Sequence, residues 1–370
     1  MAIGLSETFK GKSVFITGHT GFKGAWLSFW LSEMGAGISG YSLGDALPDK
    51  SLYASLSIQD RINKEYLGDI RDFDTLRNEI KRAKPDFIFH LAAQPLVRHS
   101  YNFPTETYST NVNGTIHLLE ALRDLKRPCV VIVVTTDKCY ENKEDGRAFR
   151  ETDPLGGFDP YSSSKACAEI VVSSWRNSFF NSCGILVASA RAGNVIGGGD
   201  WAQDRIVPDA VRSLLQKAPI GVRNPTSVRP WQHVLDPLNG YLELAHVIHQ
   251  KAAIDLDEAR SLCTAFNFGP QESSSQTVQV LVDEILSNWN GKWVDNSSTL
   301  TVHEASMLKL DIAKARNQLN WYPVWSFKDA ISETINWYKM VHVDNKSAEE
   351  CTRANLSKFE SAKQSLYLQS

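Results

Sequence analysis

The sequence predicts an α/β protein, a doubly wound parallel sheet with a smaller, interleaved C-terminal substrate lobe. Three observations carry that expectation. Short β-branched runs alternate with helical patterns through the first half of the chain, and the strands are apolar throughout rather than at every second position. A glycine-rich turn also joins the first strand to the first long helix. Continuously apolar strands imply burial on both faces, which a parallel sheet covered by crossover helices provides.

In chain order, residues 13–17 read as a buried strand and 25–34 as an amphipathic helix. Residues 38–42 and 66–70 read as the second and third strands, and 72–83 as a helix that stops ahead of Pro85. A strand over 87–91, a long helix over 104–125, a strand over 129–135, a helix from 160 to about 179 and a strand over 184–190 complete this half. Beyond Arg191 the pattern changes, because Gly197 to Gly199, Asn224-Pro225 and Arg229-Pro230 break the chain into loops and short elements. Residues 237–250 are helical, 265–268 form a short strand, and 275–288, 311–319 and 326–340 are further helices. The expected division is a first domain over 1–190, to which 232–264 returns, and a substrate lobe from 191–231 and 265–340. A polar, peripheral tail over 341–370 completes it.

Composition excludes several classes. With 370 residues, 42% of them hydrophobic, the chain can bury a large core and is not disordered. A net charge of -3 lacks the basic surplus of a nucleic-acid binder. The longest apolar runs, such as 130–134, fall far short of the roughly 20 residues that span a bilayer. The first twelve residues carry no apolar stretch behind a basic start, so no secretory signal is expected. Six scattered cysteines (Cys129, Cys139, Cys167, Cys183, Cys263, Cys351) form no CxxC pair and no metal-ligand spacing. They read as reduced thiols of a cytoplasmic protein without a bound metal.

The motifs that carry chemistry lie at the carboxyl ends of the strands, where open parallel sheets bind ligands. Gly18, Gly21 and Gly24 form GxxGxxG directly after the first strand, with Thr20, Phe22 and Lys23 between them. Glycines there permit a tight turn and close approach of backbone N–H groups to a pyrophosphate. The acid that normally binds the adenosine ribose is displaced, because the second strand ends in Tyr41, Ser42, Leu43 and Gly44 and the first acid is Asp45. No arginine follows there to hold a 2′-phosphate, which favours NAD. Asp69 and Ile70, ending the third strand, are candidate adenine contacts. Tyr161 and Lys165 share a helix face at i and i+4, so an ammonium can approach a phenol that exchanges a hydroxyl proton. Thr136, Asp137 and Lys138 close the fifth strand. Trp26 and Trp30, four apart, read as packing residues.

GxxGxxG, the Thr136 position and YxxxK, in this order, resemble the extended short-chain dehydrogenase/reductase family. His90, Leu91, Ala92 and Ala93, together with Asn111 to Thr115, resemble its fourth-strand and following-helix signatures. The resemblance covers about 340 residues, a Rossmann-like domain and a nucleotide-sugar lobe. Within the family, Thr136-Asp137 followed by an ionisable residue resembles the sugar-nucleotide 4,6-dehydratases. These usually carry Asp-Glu where this chain has Asp137-Lys138. Residues 191–201 and 229–234 are similar to members acting on CDP-glucose. That step is resemblance alone, since no spacing selects a base.

The resemblance implies NAD on Gly18, Thr20, Gly21, Phe22, Lys23, Gly24, Asp69, Ile70, Leu91, Ala92, Ala93, Tyr161 and Lys165. It implies a catalytic group of Thr136, Asp137, Lys138, Tyr161 and Lys165. Tyr161, lowered in pKa by Lys165 and the cofactor's charge, takes the 4-hydroxyl proton, which Thr136 hydrogen-bonds. Asp137 is the acid for the 6-hydroxyl, and Lys138 is either the C5 base or an enolate stabiliser. Asn194 and Arg229 are the first candidates for the substrate pyrophosphate, with Arg98, Arg205 and His233 as further candidates. The helices over 104–125 and 160–179 resemble those through which the family dimerises, implying a homodimer or a tetramer. The biological role implied is supply of dideoxysugars for bacterial surface polysaccharide, chiefly the O-antigen of lipopolysaccharide. The competing readings are an NAD-dependent 4-epimerase, a dehydratase of another nucleotide sugar, and a non-catalytic dinucleotide-binding redox sensor.

Overall fold

A computed structural model describes residues 4–44, 51–180, 184–297 and 308–369, so Asp45 and Cys183 lie outside the described residues. Seven parallel strands form the main sheet: β1 (Ser13–Thr17), β2 (Gly37–Ser42), β3 (Lys64–Leu67), β4 (Phe87–His90), β5 (Cys129–Val134), β6 (Ile185–Ala192) and β7 (Ala265–Phe268). Their order is β7-β6-β5-β4-β1-β2-β3. The chain therefore reverses its winding at β1, which pairs with β2 on one side and β4 on the other. Alternate strand residues feed two cores: Val14, Ile16, Phe87, Phe89, Val130 and Ile132 face one side. Phe15, Ile88, Val131 and Val133 face the other. Burial on both faces is the physical reason that these strands are apolar without alternation.

Ten helices are used below. In chain order they are α1 (Phe22–Glu33), α2 (Phe73–Ala83), α3 (Val97–Asn102), α4 (Gly114–Leu122) and α5 (Pro160–Trp175). They continue with α6 (Ile206–Leu215), α7 (Leu235–Ala252), α8 (Val278–Asn288), α9 (Phe327–His342) and α10 (Ala348–Gln369). The expected long helix over 104–125 is three pieces, with a π-helical turn, Ser109–Asn113, between Pro104–Tyr108 and α4. In α1, residues 24–31 are all buried, Trp26 and Trp30 among them, because the helix is covered by the sheet on one side and the C-terminal elements on the other.

Two expectations are corrected. Residues 265–268 were assigned to the substrate lobe, yet β7 pairs in parallel with β6 as an edge of the main sheet. A parallel neighbour needs a long crossover, and α7 lies within that crossover. The tail over 341–370, expected to be peripheral, forms the 22-residue α10. Its Phe359 is fully buried and stands edge-on to Trp30 (5.7 Å between ring centroids) and Trp325 (5.4 Å). Apolar residues spaced through a polar sequence (Cys351, Leu356, Phe359) were the signal, diluted by the charged residues between them.

The second lobe is built from α6, α8, α9, Ala313–Leu319 and three two-stranded pieces. Those pieces pair 195–196 with 232–233, 220–222 with 293–295, and 228–230 with 275–277. α6 was not expected from the sequence, where Gly and Pro on both sides suggested loops.

Candidate active site

The turn after β1 is shaped by close approaches that only glycine allows. Gly18 has φ +76°, and a Cβ there would stand 2.8 Å from the Ala92 backbone nitrogen. A Cβ on Gly24 would lie 2.1 Å from the Gly18 carbonyl oxygen. The α1 N-terminus packs directly under this turn, and its N-cap residue, Gly21, offers no side-chain cap. Backbone N–H groups at a helix start attract an anion, so Gly18, Thr20, Gly21, Phe22, Lys23 and Gly24 fit a dinucleotide pyrophosphate. Leu91, Ala92 and Ala93 line the same crevice across the β1–β4 boundary, and Ala92 donates its N–H to Thr17 Oγ1 at 3.2 Å. His19, which sequence reasoning passed over, is buried between Ser42 Oγ (2.9 Å) and Glu65 (2.8 Å). Asp69, two residues beyond the end of β3, is bound to Arg71 (2.8 Å), which holds its carboxyl below the usual range; Ile70 is buried beside it.

The catalytic candidates converge from β5 and α5. Asp159 caps α5 by accepting from Ser162 N at 2.9 Å, and Pro160 occupies its first position, so Tyr161 lies in the opening turn. Tyr161 is nearly buried and hydrogen-bonds to Thr136. Thr136 Oγ1 donates to Asp137 Oδ1 at 3.1 Å. Lys138 Nζ lies 3.6 Å from that same oxygen and donates to Asn194 Oδ1 at 3.2 Å. The second carboxyl oxygen of Asp137 is buried without a hydrogen-bond partner among the described residues. The structure thus joins Tyr161, Thr136, Asp137, Lys138 and Asn194 in one chain of contacts.

Burial dominates the electrostatics. It pushes the Tyr161 phenol up to about 12, with the Thr136 hydrogen bond acting in the opposite direction. Lys165 lies about one helical turn beyond Tyr161 on α5. Its ammonium donates to the Val134 carbonyl at 3.3 Å, and burial pushes it down to about 8. Lys23 is pushed down to about 7 by burial, reinforced by the charge of Arg205, with Asp137, Lys165 and Lys138 also in range. Its Nζ donates to Tyr241 Oη at 3.4 Å, so this side chain faces the catalytic group as well as the turn.

Behind the site lies a buried ionic network that the sequence reading missed. Glu169, one further helical turn beyond Lys165, accepts from Arg191 (2.9 Å), Ser189 (2.7 Å) and Thr135. Arg191 also donates to Tyr140 Oη at 2.8 Å, which donates to Asn267 at 2.6 Å. These bonds tie the 135–140 loop to the end of β6, because each side chain is adjacent to a site residue. On the opposite side, Asn111 in the π-helical turn bonds Gln94 N (2.8 Å) and Ser164 Oγ (2.8 Å). The spacing 161, 165, 169 was the available signal for Glu169.

The substrate candidates divide. Half-buried Arg205 pairs with Asp200 at 2.9 Å, which keeps it protonated, within electrostatic range of Tyr161. Arg98, on α3 rather than a loop, lies 3.6 Å from Asp204. Arg229 is buried in the strand 228–230, with Nη1 donating to the Val228 carbonyl at 2.9 Å. His233 is corrected: it is fully buried between Trp26 and Trp325, and its Nδ1 accepts from Leu235 N at 3.2 Å. Burial pushes it down to about 3, so it is a neutral core histidine and not a phosphate ligand.

Comparison with known proteins follows this geometry. The family described as GDP-mannose 4,6 dehydratase matches residues 15–334. The chain is 45% identical to the CDP-glucose 4,6-dehydratase of Salmonella typhimurium, over 96% of this chain and 98% of that protein. It is 25% identical to a dTDP-glucose 4,6-dehydratase of Xanthomonas campestris, over 87% and 92% respectively. Among solved structures, the dTDP-glucose 4,6-dehydratase of Streptomyces venezuelae, crystallised with NAD, superimposes with a TM-score of 0.76 at 23% identity. That match covers 88% of this chain and 96% of the other.

Proposed function

The chain belongs to the GDP-mannose 4,6 dehydratase family, and from that premise we infer that it is an NAD-dependent hydro-lyase acting on CDP-D-glucose. It yields CDP-4-dehydro-6-deoxy-D-glucose and water. The observation that carries this reading is a near full-length identity of 45% to a CDP-glucose 4,6-dehydratase. The joined Thr136, Asp137, Lys138 and Tyr161 side chains give that reading a chemistry.

The Gly18–Gly24 turn would hold NAD, which when bound would accept hydride from C4 and return it to C6, so there is no net redox change. The protein's part is proton movement. Tyr161 accepts the proton of the 4-hydroxyl, which Thr136 orients. Oxidation to a 4-ketone makes the C5 hydrogen acidic, so that C5–H and C6–O can break with loss of water. Asp137 in its protonated form donates to the departing 6-hydroxyl, and its unpartnered oxygen supports that assignment. Lys138 acts directly. Transfer of one proton from its ammonium to Asp137, 3.6 Å away, produces the acid for C6 and the neutral base for C5 together. The proton that Lys138 took is given back at C5 as hydride, which bound NAD would return, reaches C6, and this completes the product.

The pyrophosphate of the substrate is assigned to Asn194, Arg205 and Arg229, with Arg98 closing over them. The protein acts as a homodimer through the helices around α4 and α5. Phe103, Tyr108, Ile170 and Phe179 stand 37–57% exposed there, which supports such a face. A cytoplasmic site fits five free cysteines among the described residues, and the product suits dideoxysugar supply for surface polysaccharide. No described helix is long and apolar enough to cross a membrane. Product analysis tests the reading. A 4-keto-6-deoxy sugar develops absorbance in strong alkali, and a product without it, epimerised at C4, would replace the dehydratase with an epimerase.

A further inference from the structure

Gly193 lies within the 191–201 stretch, where no role was assigned to it, yet it borders the catalytic carboxyl more closely than any side chain could. A Cβ built on it would stand 2.8 Å from Asp137 Oδ2 and 3.5 Å from the carboxyl carbon, and 3.2 Å from Pro230 Cγ. The first distance is shorter than real Cβ contacts, so something must shift. The backbone is poorly placed to do so. Two residues before, Arg191 is fixed by Glu169 and Tyr140; one residue after, Asn194 is fixed by Lys138. On the other side, among the described residues, Asp137 Oδ1 is held by Thr136 at 3.1 Å and Lys138 at 3.6 Å. The carboxyl torsion of aspartate is broad and soft, so the carboxyl is what moves.

We propose that Gly193 is a positioning residue for the elimination step, keeping the Asp137 carboxyl in contact with Thr136 and Lys138 by leaving its far side empty. The proposal rests on the dehydratase reading. Its consequence is selective. C4 oxidation uses Thr136 and Tyr161, neither of which supplies the atoms nearest a Cβ at residue 193. Loss of water needs Asp137 to give a proton to the leaving hydroxyl as the C5–H bond breaks. A side chain at 193 therefore separates the two half-reactions: hydride leaves C4, but the C6–O bond stays intact and the reduced cofactor persists.

The test is Gly193→Ala, read in single turnovers by reduced-nicotinamide absorbance and by product mass. C4 oxidation near the wild-type rate with elimination slowed about 10²-fold is expected, the scale of a lost general acid. In an Asp137→Ala background the same substitution should add nothing to the loss of elimination, because the atom it displaces is gone. A crystal structure of Gly193→Ala should show the carboxyl turned away from Thr136. Equal losses in both half-reactions, an unmoved carboxyl, or an additive loss in the double variant would each overturn the proposal. Wild-type protein that removes no water from CDP-glucose would instead overturn the reading beneath it.

Discussion

Lys138 is where this chain departs from the Asp-Glu pair that its sequence resemblance leads one to expect, and its surroundings explain how the departure can work. A glutamate there would put two carboxylates side by side. The lysine instead sets an ammonium 3.6 Å from Asp137 Oδ1, and Asn194 Oδ1 accepts from it at 3.2 Å. Lys138→Ala should therefore keep binding of the CDP-sugar, measured by calorimetry, while kcat falls about 10²-fold or more. Unchanged kcat would remove Lys138 from the proton transfers. At this scale the sequence was informative about which side chains meet, as with Thr136, Asp137 and Lys138, which stand together at the end of β5. His233 misled because a histidine after an Arg-Pro-Trp run looks like a ligand, and only three dimensions place it between two tryptophans.

Among elements, α10 is the clearest case in which pattern reading fell short. Charged residues make its sequence look solvent-bound, but packing needs only one stripe, and Phe359 anchors it between Trp30 and Trp325. Phe359→Ala should cost about 3–5 kcal/mol and be visible as an earlier melting transition, with any residual activity at low temperature unaltered. A melting temperature equal to that of the unmodified protein would return α10 to the status of a tail. The parallel strands β1, β4, β5 and β6 were legible because burial on both faces leaves an uninterrupted apolar run. β7 was legible as a strand but not as a member of the sheet, since membership depends on the α7 crossover. The π-helical turn at 109–113 carries no sequence signal of its own; it is defined by where Asn111 finds Gln94 and Ser164.

At the scale of the whole molecule, buried titrating groups set how stability follows pH. His90 and His233 are each pushed down by burial to about 3 from the usual 6.5, so they stay neutral in the fold and gain protons on unfolding below pH 6.5. Their contribution is complete above pH 6.5 and is lost as pH falls. Asp236 opposes them, because burial pushes it up to about 7 and its unfolded form ionises above the usual 3.8. For these three groups the unfolded chain therefore binds about one net proton more near pH 5 and progressively less towards pH 6.5, so stability should rise with pH by about 1 kcal/mol per unit between pH 5 and 6. Asp236→Asn should steepen that slope in thermal melts, and a flat profile would contradict the assignment. Assembly belongs to this scale too. Ile170, 57% exposed on α5, should hold the dimer face, and Ile170→Glu should sediment as a 41.3 kDa monomer; an unchanged dimer would place the interface elsewhere.

The central claim, that these residues dehydrate a CDP-hexose without net redox change, is tested most directly by incubating the protein with NAD and, separately, CDP-, dTDP-, UDP- and GDP-glucose and following mass. Loss of one water from CDP-glucose alone is expected, with no accumulation of reduced cofactor. Unchanged mass with an altered sugar configuration would contradict the roles of Asp137 and Lys138, and water loss from another nucleotide sugar would contradict the substrate.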